Sequence, residues 1–228
     1  MSEPTTIAGV IDRLREIDDV LEPGDGVAVF NRMYLTVTER LAARLDGHAT
    51  DPLWQDPEAV ADLDVRFAAF WLHAYDGSLA GHRVPKAWAP VFEARQGGRH
   101  AVQFALAGMN THIEHDLPLA VVRTCQARGI EPADVHRDYE AVNVVLAEVE
   151  SEIRRSFLDE AARDLDDHVG PVAHLVGSWK IDKARDLAWV TAETVWELRN
   201  TEFLLGRFLT GLGHTVGMTS RVLLTPTL

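Results

Sequence analysis

The sequence predicts an all-α fold. Apolar residues recur at three- and four-residue spacing along almost the whole chain, no stretch alternates strictly enough to build a sheet, and glycine and proline fall where helices need ends. A first amphipathic stripe, Ile7, Val10, Ile11, Leu14 and Ile17, is stopped at Pro23-Gly24. The second carries Val27, Phe30, Tyr34, Val37 and Leu41 and ends near Gly47, and turn composition follows over 48–55. Asp56-Pro57-Glu58 then supplies a cap, a proline at the first helical position and an acid in the first turn. The helix so opened bears Val60, Leu63, Phe67, Phe70, Trp71 and Tyr75, and Gly77 closes it.

Val84-Pro85 predicts a short helix through Trp88 and Phe92, broken by Gly97-Gly98 before another begins near Arg99. Pro118 cannot sit inside a straight helix, so either that helix bends or a new one starts with Asp116 as its cap. The apolar stretch after Pro118 ends at Gly129, and Glu131-Pro132-Ala133-Asp134 starts a long helix with Tyr139, Val142, Leu146, Val149, Ile153 and Phe157 on one face. Gly170-Pro171 interrupts, and a last long helix runs from 182 to about 208 with Trp189, Val195, Trp196, Leu198 and Leu204. The tail to Leu228 shows no pattern. No repeat or flexible linker divides residues 1–228, so a single helical-bundle domain of about seven to nine helices is expected.

Of 228 residues, 46% are hydrophobic and 25% charged, an ordinary globular balance. The net charge of −13 repels nucleic acid and anionic lipid, so neither is an expected partner. Cys125, alone, excludes an intrachain disulfide and a cysteine-cluster zinc site. With no secretion-type start and no apolar run reaching the ~18 residues of a membrane span, a cytoplasmic location is expected.

Phosphate-loop, dinucleotide-binding and nucleophile-elbow signatures are absent, as is His-Glu-x-x-His. No histidine follows a glutamate by three residues, which removes the helical di-iron pattern. Two His/Asp pairs remain. His112 and Asp116 are four apart, about 40° round a helix, on the face of Val102, Ala105, Leu106 and Met109. The stripe Ile153, Phe157, Ala161 continues onto Asp164 and His168. Both pairs fall where the pattern predicts burial, and buried charge needs partners or a cation; two imidazoles and two carboxylates suit a divalent metal such as Zn, Fe, Mn or Mg. Asp64, on the Val60, Phe67, Trp71 stripe, is a further ligand or a general base.

Blander readings stand beside these. His-Asp at this spacing also makes a plain intrahelical hydrogen bond, and Glu193 with Glu197 suits a solvated face. His115-Asp116 resembles the adjacent pair of metal phosphohydrolases, which would force His73 or His82 into service. Asp164-Leu165-Asp166-Asp167 matches an acidic motif of some terpene cyclases, a string that an acidic helix end also yields. Trp71, Trp88, Trp189 and Trp196 are core residues by spacing, or the lining of an apolar pocket.

The string Gly108-Met109-Asn110-Thr111-His112-Ile113-Glu114-His115-Asp116-Leu117-Pro118 resembles a family catalogued as a domain of unknown function, number 5995. Val29-Phe30-Asn31-Arg32-Met33-Tyr34, Leu63-Asp64-Val65-Arg66-Phe67-Ala68, Val84-Pro85-Lys86-Ala87-Trp88 and Phe92-Glu93-Ala94-Arg95 extend the likeness over most of 29–157. The resemblance implies a helical protein of no assigned activity, with His112, Asp116, Asn110 and Asp64 at motif positions, His115 at a variable one, and no support for His168.

The leading expectation is therefore a metal-dependent hydrolase or lyase acting on a small, largely apolar substrate, with His112, Asp116, Asp164 and His168 as ligands and Asp64 and Asn110 as catalytic groups. The alternatives are a metal-free bundle that binds a small molecule or a protein partner, and a prenyl or terpenoid cyclase. A second copy of the chain is a further candidate partner for any apolar stripe.

Overall fold

The computed structural model describes residues 3–47, 53–163 and 180–226, and every regular element among these is a helix, without a strand. The all-α expectation is met. The helices are α1 (Ile7–Val20), α2 (Gly26–Asp46), α3 (Pro57–Leu79), α4 (Ala89–Ala94), α5 (Ala101–Thr111), a π turn (His112–Asp116), α6 (Leu117–Arg128), α7 (Pro132–Arg163), α8 (Ile181–Leu198) and α9 (Glu202–Leu223).

Most starts follow from local chemistry. Thr6 accepts the Gly9 amide of α1, Asp25 the Val27 amide of α2 and Asp56 the Ala59 amide of α3, each satisfying a donor that the first helical turn leaves unpaired. Gly129, at φ 67°, ends α6 in the left-handed conformation that suits glycine. The Asp138 carboxylate of α7 accepts the Gln55 and Asp56 amides, both at 2.7 Å, and so ties the entry of α3 to α7.

Four boundaries differ from expectation. Helix α3 passes Gly77 and ends at Leu79. The segment at Val84-Pro85 is a turn, and the short helix begins at Ala89. The expected last helix is two, because Arg199, Asn200 and Thr201 make a turn between α8 and α9. The tail without a pattern is helical to Leu223.

The helix containing His112 does not restart at Pro118. It widens into the π turn, in which the Leu117 amide reaches back five residues to the His112 carbonyl. A proline ring collides with the carbonyl four residues behind it in an α-helix; the wider register moves that carbonyl aside and lets the chain continue. Asp116 consequently does not cap α6, and its side chain is directed elsewhere.

Packing places this turn at the centre. It contacts α3, α5, α6, α8 and α9. One core cluster gathers Phe30, Tyr34, Trp71, Trp88 and Val102, a second joins α6 to α8 through Leu117, Val121, Trp189 and Trp196, and a third lies around Leu41, Trp54, Val60 and Val145. Helices α2 and α5 approach closely because two glycines permit it: a Cβ on Gly108 would lie 2.3 Å from the Phe30 ring, and one on Gly26 would lie 2.2 Å from the Phe104 ring.

Candidate functional site

Asp116 is 1% exposed and accepts three hydrogen bonds, from His112 Nδ1 at 3.0 Å, Trp88 Nε1 at 2.9 Å and His115 Nδ1 at 2.7 Å. Burial alone would raise its pKa, but the hydrogen bonds from the two imidazoles, and the charge these carry once protonated, outweigh it and hold the carboxyl below its ordinary value. An ionised carboxylate only accepts, so His112 must carry its proton on Nδ1. Its Nε2 is then a lone pair, and this atom is buried without a hydrogen-bond partner. Burial also lowers the His112 pKa, partly offset by Asp116, so the imidazole is neutral at pH 7.

The ring is held on both sides. Phe67 of α3 stacks on it at 3.5 Å between centroids, and Tyr34 of α2 meets it edge-on at 4.6 Å. Thr111 Oγ1 donates to the Ala87 carbonyl, fixing the turn that presents Trp88 to Asp116.

His112 lines a cavity of about 100 Å³ walled by α2, α3, Met109 of α5, the π turn, Leu117 of α6, α7 and α8. The lining is mostly aliphatic and aromatic, with Phe30, Tyr34 and Phe67 as its aromatic rings. Asp64 of α3 is in the same wall, and its Oδ2 is likewise buried without a partner, as is Tyr34 Oη. Burial pushes the Asp64 carboxyl up to about 7 and the Tyr34 phenol well above its usual value, the latter aided by the Asp64 charge. Three polar atoms without partners in one apolar wall are unusual in a protein interior, where such atoms are nearly always paired.

Of the residues singled out from sequence, the structure brings together Asp64, His112 and Asp116. Asn110 faces away from the cavity, and its amide donates to Val216 O at 3.1 Å and Ser220 Oγ at 2.9 Å on α9. Asp164 and His168 lie outside the described residues, as does the acidic string 164–167. Among the described residues no group of three or more His, Cys, Asp or Glu side chains is arranged to hold a metal ion. His73 and His82 are exposed, as are Glu193 and Glu197. None of the four tryptophans lines the cavity: Trp71 donates to Asn31, Trp88 to Asp116 and Trp196 to Glu131, while Trp189 packs on Tyr139 and His136.

Sequence reasoning missed Tyr34, Phe67 and Arg185 as parts of this wall. The first two sat on recognised stripes, which mark burial without saying what a side chain faces. Arg185 on α8 carried no signal beyond its place at the edge of the Trp189 face.

Fold and site together define an all-helical protein with a buried histidine–aspartate pair, set in a π turn, at the wall of an apolar cavity. The model for the family of unknown function DUF5995 matches residues 7–226, and the chain belongs to that family. No curated protein and no solved structure matches it.

Proposed function

We propose that the cavity takes up a small, largely apolar molecule and that His112 acts on it as a general base, in a reaction of the hydrolase or lyase type. The observation that carries this is the unpartnered Nε2 of His112 in the cavity wall, on an imidazole whose other nitrogen is fixed by Asp116. When Nε2 accepts a proton from substrate or from water, the Asp116 carboxylate stabilises the imidazolium formed. Asp64, whose proton is balanced near neutrality, is the second transfer group and returns a proton to the leaving atom. A volume of about 100 Å³ approaches that of engineered apolar cavities, ~150 Å³, that admit benzene. The substrate's reacting part is accordingly of about that size.

A second reading places a divalent metal, Zn, Fe, Mn or Mg, on His112 Nε2 with Asp64 as co-ligand. It is favoured by the same tautomer, since metal-bound imidazoles commonly pass their other N–H to a carboxylate.

The test is ¹⁵N NMR of the imidazoles with toluene as probe, alongside hydrolysis of p-nitrophenyl acetate. The expected spectrum shows His112 protonated at Nδ1 and perturbed by toluene, and His112→Gln lowers the hydrolysis by about 10²- to 10⁴-fold with the fold retained. An Nε2–H tautomer, or hydrolysis indifferent to His112→Gln, overturns the general-base reading. Stoichiometric metal in untagged protein, lost in His112→Gln, replaces it with the second.

A further inference from the structure

We infer that the molecule bound in the cavity carries a carboxylate, which the guanidinium of Arg185 takes at the α7–α8 edge of the wall. This rests on the reading that the cavity is a binding site and adds the class of ligand.

Arg185 lines the same cavity as His112 and Asp64 and is only 5% exposed. Its described partners are all neutral: Nε donates to Asn143 Oδ1 at 2.7 Å, Nη2 donates to the Tyr139 carbonyl, and the guanidinium lies 4.1 Å from the centre of the Tyr139 ring. In return the Tyr139 hydroxyl donates to the Arg185 carbonyl at 2.7 Å. No carboxylate among the described residues lies within ion-pair distance. The neighbouring acids are engaged elsewhere, Glu140 facing His136 at 3.7 Å and Asp186 facing Lys183 at 3.0 Å. Glu150, also in the wall, has an interaction of its own.

Among the described residues Glu140 and Asp186 act on the Arg185 charge only from beyond ion-pair distance; a guanidinium taken out of water without a carboxylate in contact is costly, and buried charges are as a rule paired. Arginine presents five donors in a planar fork, of which two are occupied here. Nη1 has no acceptor among the described residues, so one edge of the fork is available to the cavity. That edge matches a carboxylate in geometry and in charge. Arg185 is the one arginine or lysine among the described lining residues, in a wall that also holds the Asp64 and Glu150 carboxyls, so a monoanion is the most charge it balances; a phosphate, bearing up to two charges, needs more cationic partners than the wall supplies. The ligand class is therefore a small monocarboxylic acid with an apolar body, for which hexanoate and benzoate are test members.

The experiment compares matched pairs, hexanoate against 1-hexanol and benzoate against benzyl alcohol. Binding is read on the methyl NMR signals of Leu63, Ile113 and Val149. Each carboxylate is expected to bind at least about tenfold more tightly than its alcohol, and Arg185→Gln to bring that ratio close to one, with Arg185→Lys between. Equal affinities in the wild-type chain overturn the inference and leave the cavity reading standing, as does a ratio that survives Arg185→Gln. Failure of both members of each pair to reach those methyl groups overturns both readings. The wild-type ratio decides the matter even where Arg185→Gln does not fold.

Discussion

Asp64 shows what a single carboxyl does when α3 buries it without a partner. In the unfolded chain such a group ionises near pH 4; in the folded protein burial raises its pKa to about 7. The folded state thus binds the proton more tightly, and stability from this group is complete below about pH 4 and is lost as the pH rises through 7. The difference corresponds to up to about 4 kcal/mol at full ionisation. Asp64→Asn keeps the shape and removes the titration. Thermal melts from pH 4 to 8 should therefore show the wild-type chain losing stability relative to the variant, with the variant the more stable at pH 8. Parallel curves would show that water or a cation already compensates the charge. The position of Asp64 was legible in sequence because an acid interrupting Val60, Phe67 and Trp71 is out of place on a buried stripe. The same logic found His112 and Asp116. It could not find Tyr34 or Phe67, since a ring on an apolar stripe is what a core contains, nor Arg185, because which helix edge fronts a cavity depends on how several helices meet.

At the scale of elements, the π turn is what joins the sequence's two clearest anomalies, Pro118 and the polar pair. The wide register seats the proline, while Asp116 collects N–H groups from its own turn and from Trp88. Spacing in the sequence announced an irregularity there but offered only a bend or a new helix, because a register change leaves no mark on apolar periodicity. The gap between α8 and α9 was hidden because no helix breaker marks it: Arg199, Asn200 and Thr201 make the turn with neither glycine nor proline. What holds the π turn in position is the approach of α5 to α2 at Gly108. An added methyl there would lie 2.3 Å from Phe30 Cδ2 and 3.0 Å from its Cβ, so rotating the ring does not clear it. Phe30 is itself hemmed in by Trp71, Trp88 and His112. Gly108→Ala should cost about 1–3 kcal/mol by urea denaturation, the usual range for overpacking, and displace His112. An unchanged midpoint would mean that α2 and α5 slide apart freely.

Across the whole molecule, the cavity and the C-terminal helix occupy different sides of the α5 and π-turn axis. The cavity is walled by α2, α3, Met109 of α5, the π turn, Leu117 of α6, α7 and α8, while α9 packs on α4, α5, α8 and the π turn and contributes no residue to that wall. Beside the apolar packing of Leu205, Phe208 and Leu209, its attachment to α5 has a polar seam: Asn110 donates to Val216 O and Ser220 Oγ, Thr111 and Ser220 share a hydrogen bond, and Gln103 donates to the carbonyls of Leu223 and Thr225. Asn110 stands two residues before His112, yet on a helix that offset turns it to the opposite side. Its hydrogen bonds thus fit a fastening for α9. Asn110→Ala removes two hydrogen bonds, each worth about 0.5–1.5 kcal/mol, and leaves acceptors in a partly buried seam. The variant should be less stable by about 1–3 kcal/mol in urea denaturation and should still bind toluene at the cavity with wild-type affinity. If instead toluene binding or hydrolysis is lost while the denaturation midpoint stays put, Asn110 belongs to the working site, and the separation of α9 from the cavity has to be abandoned.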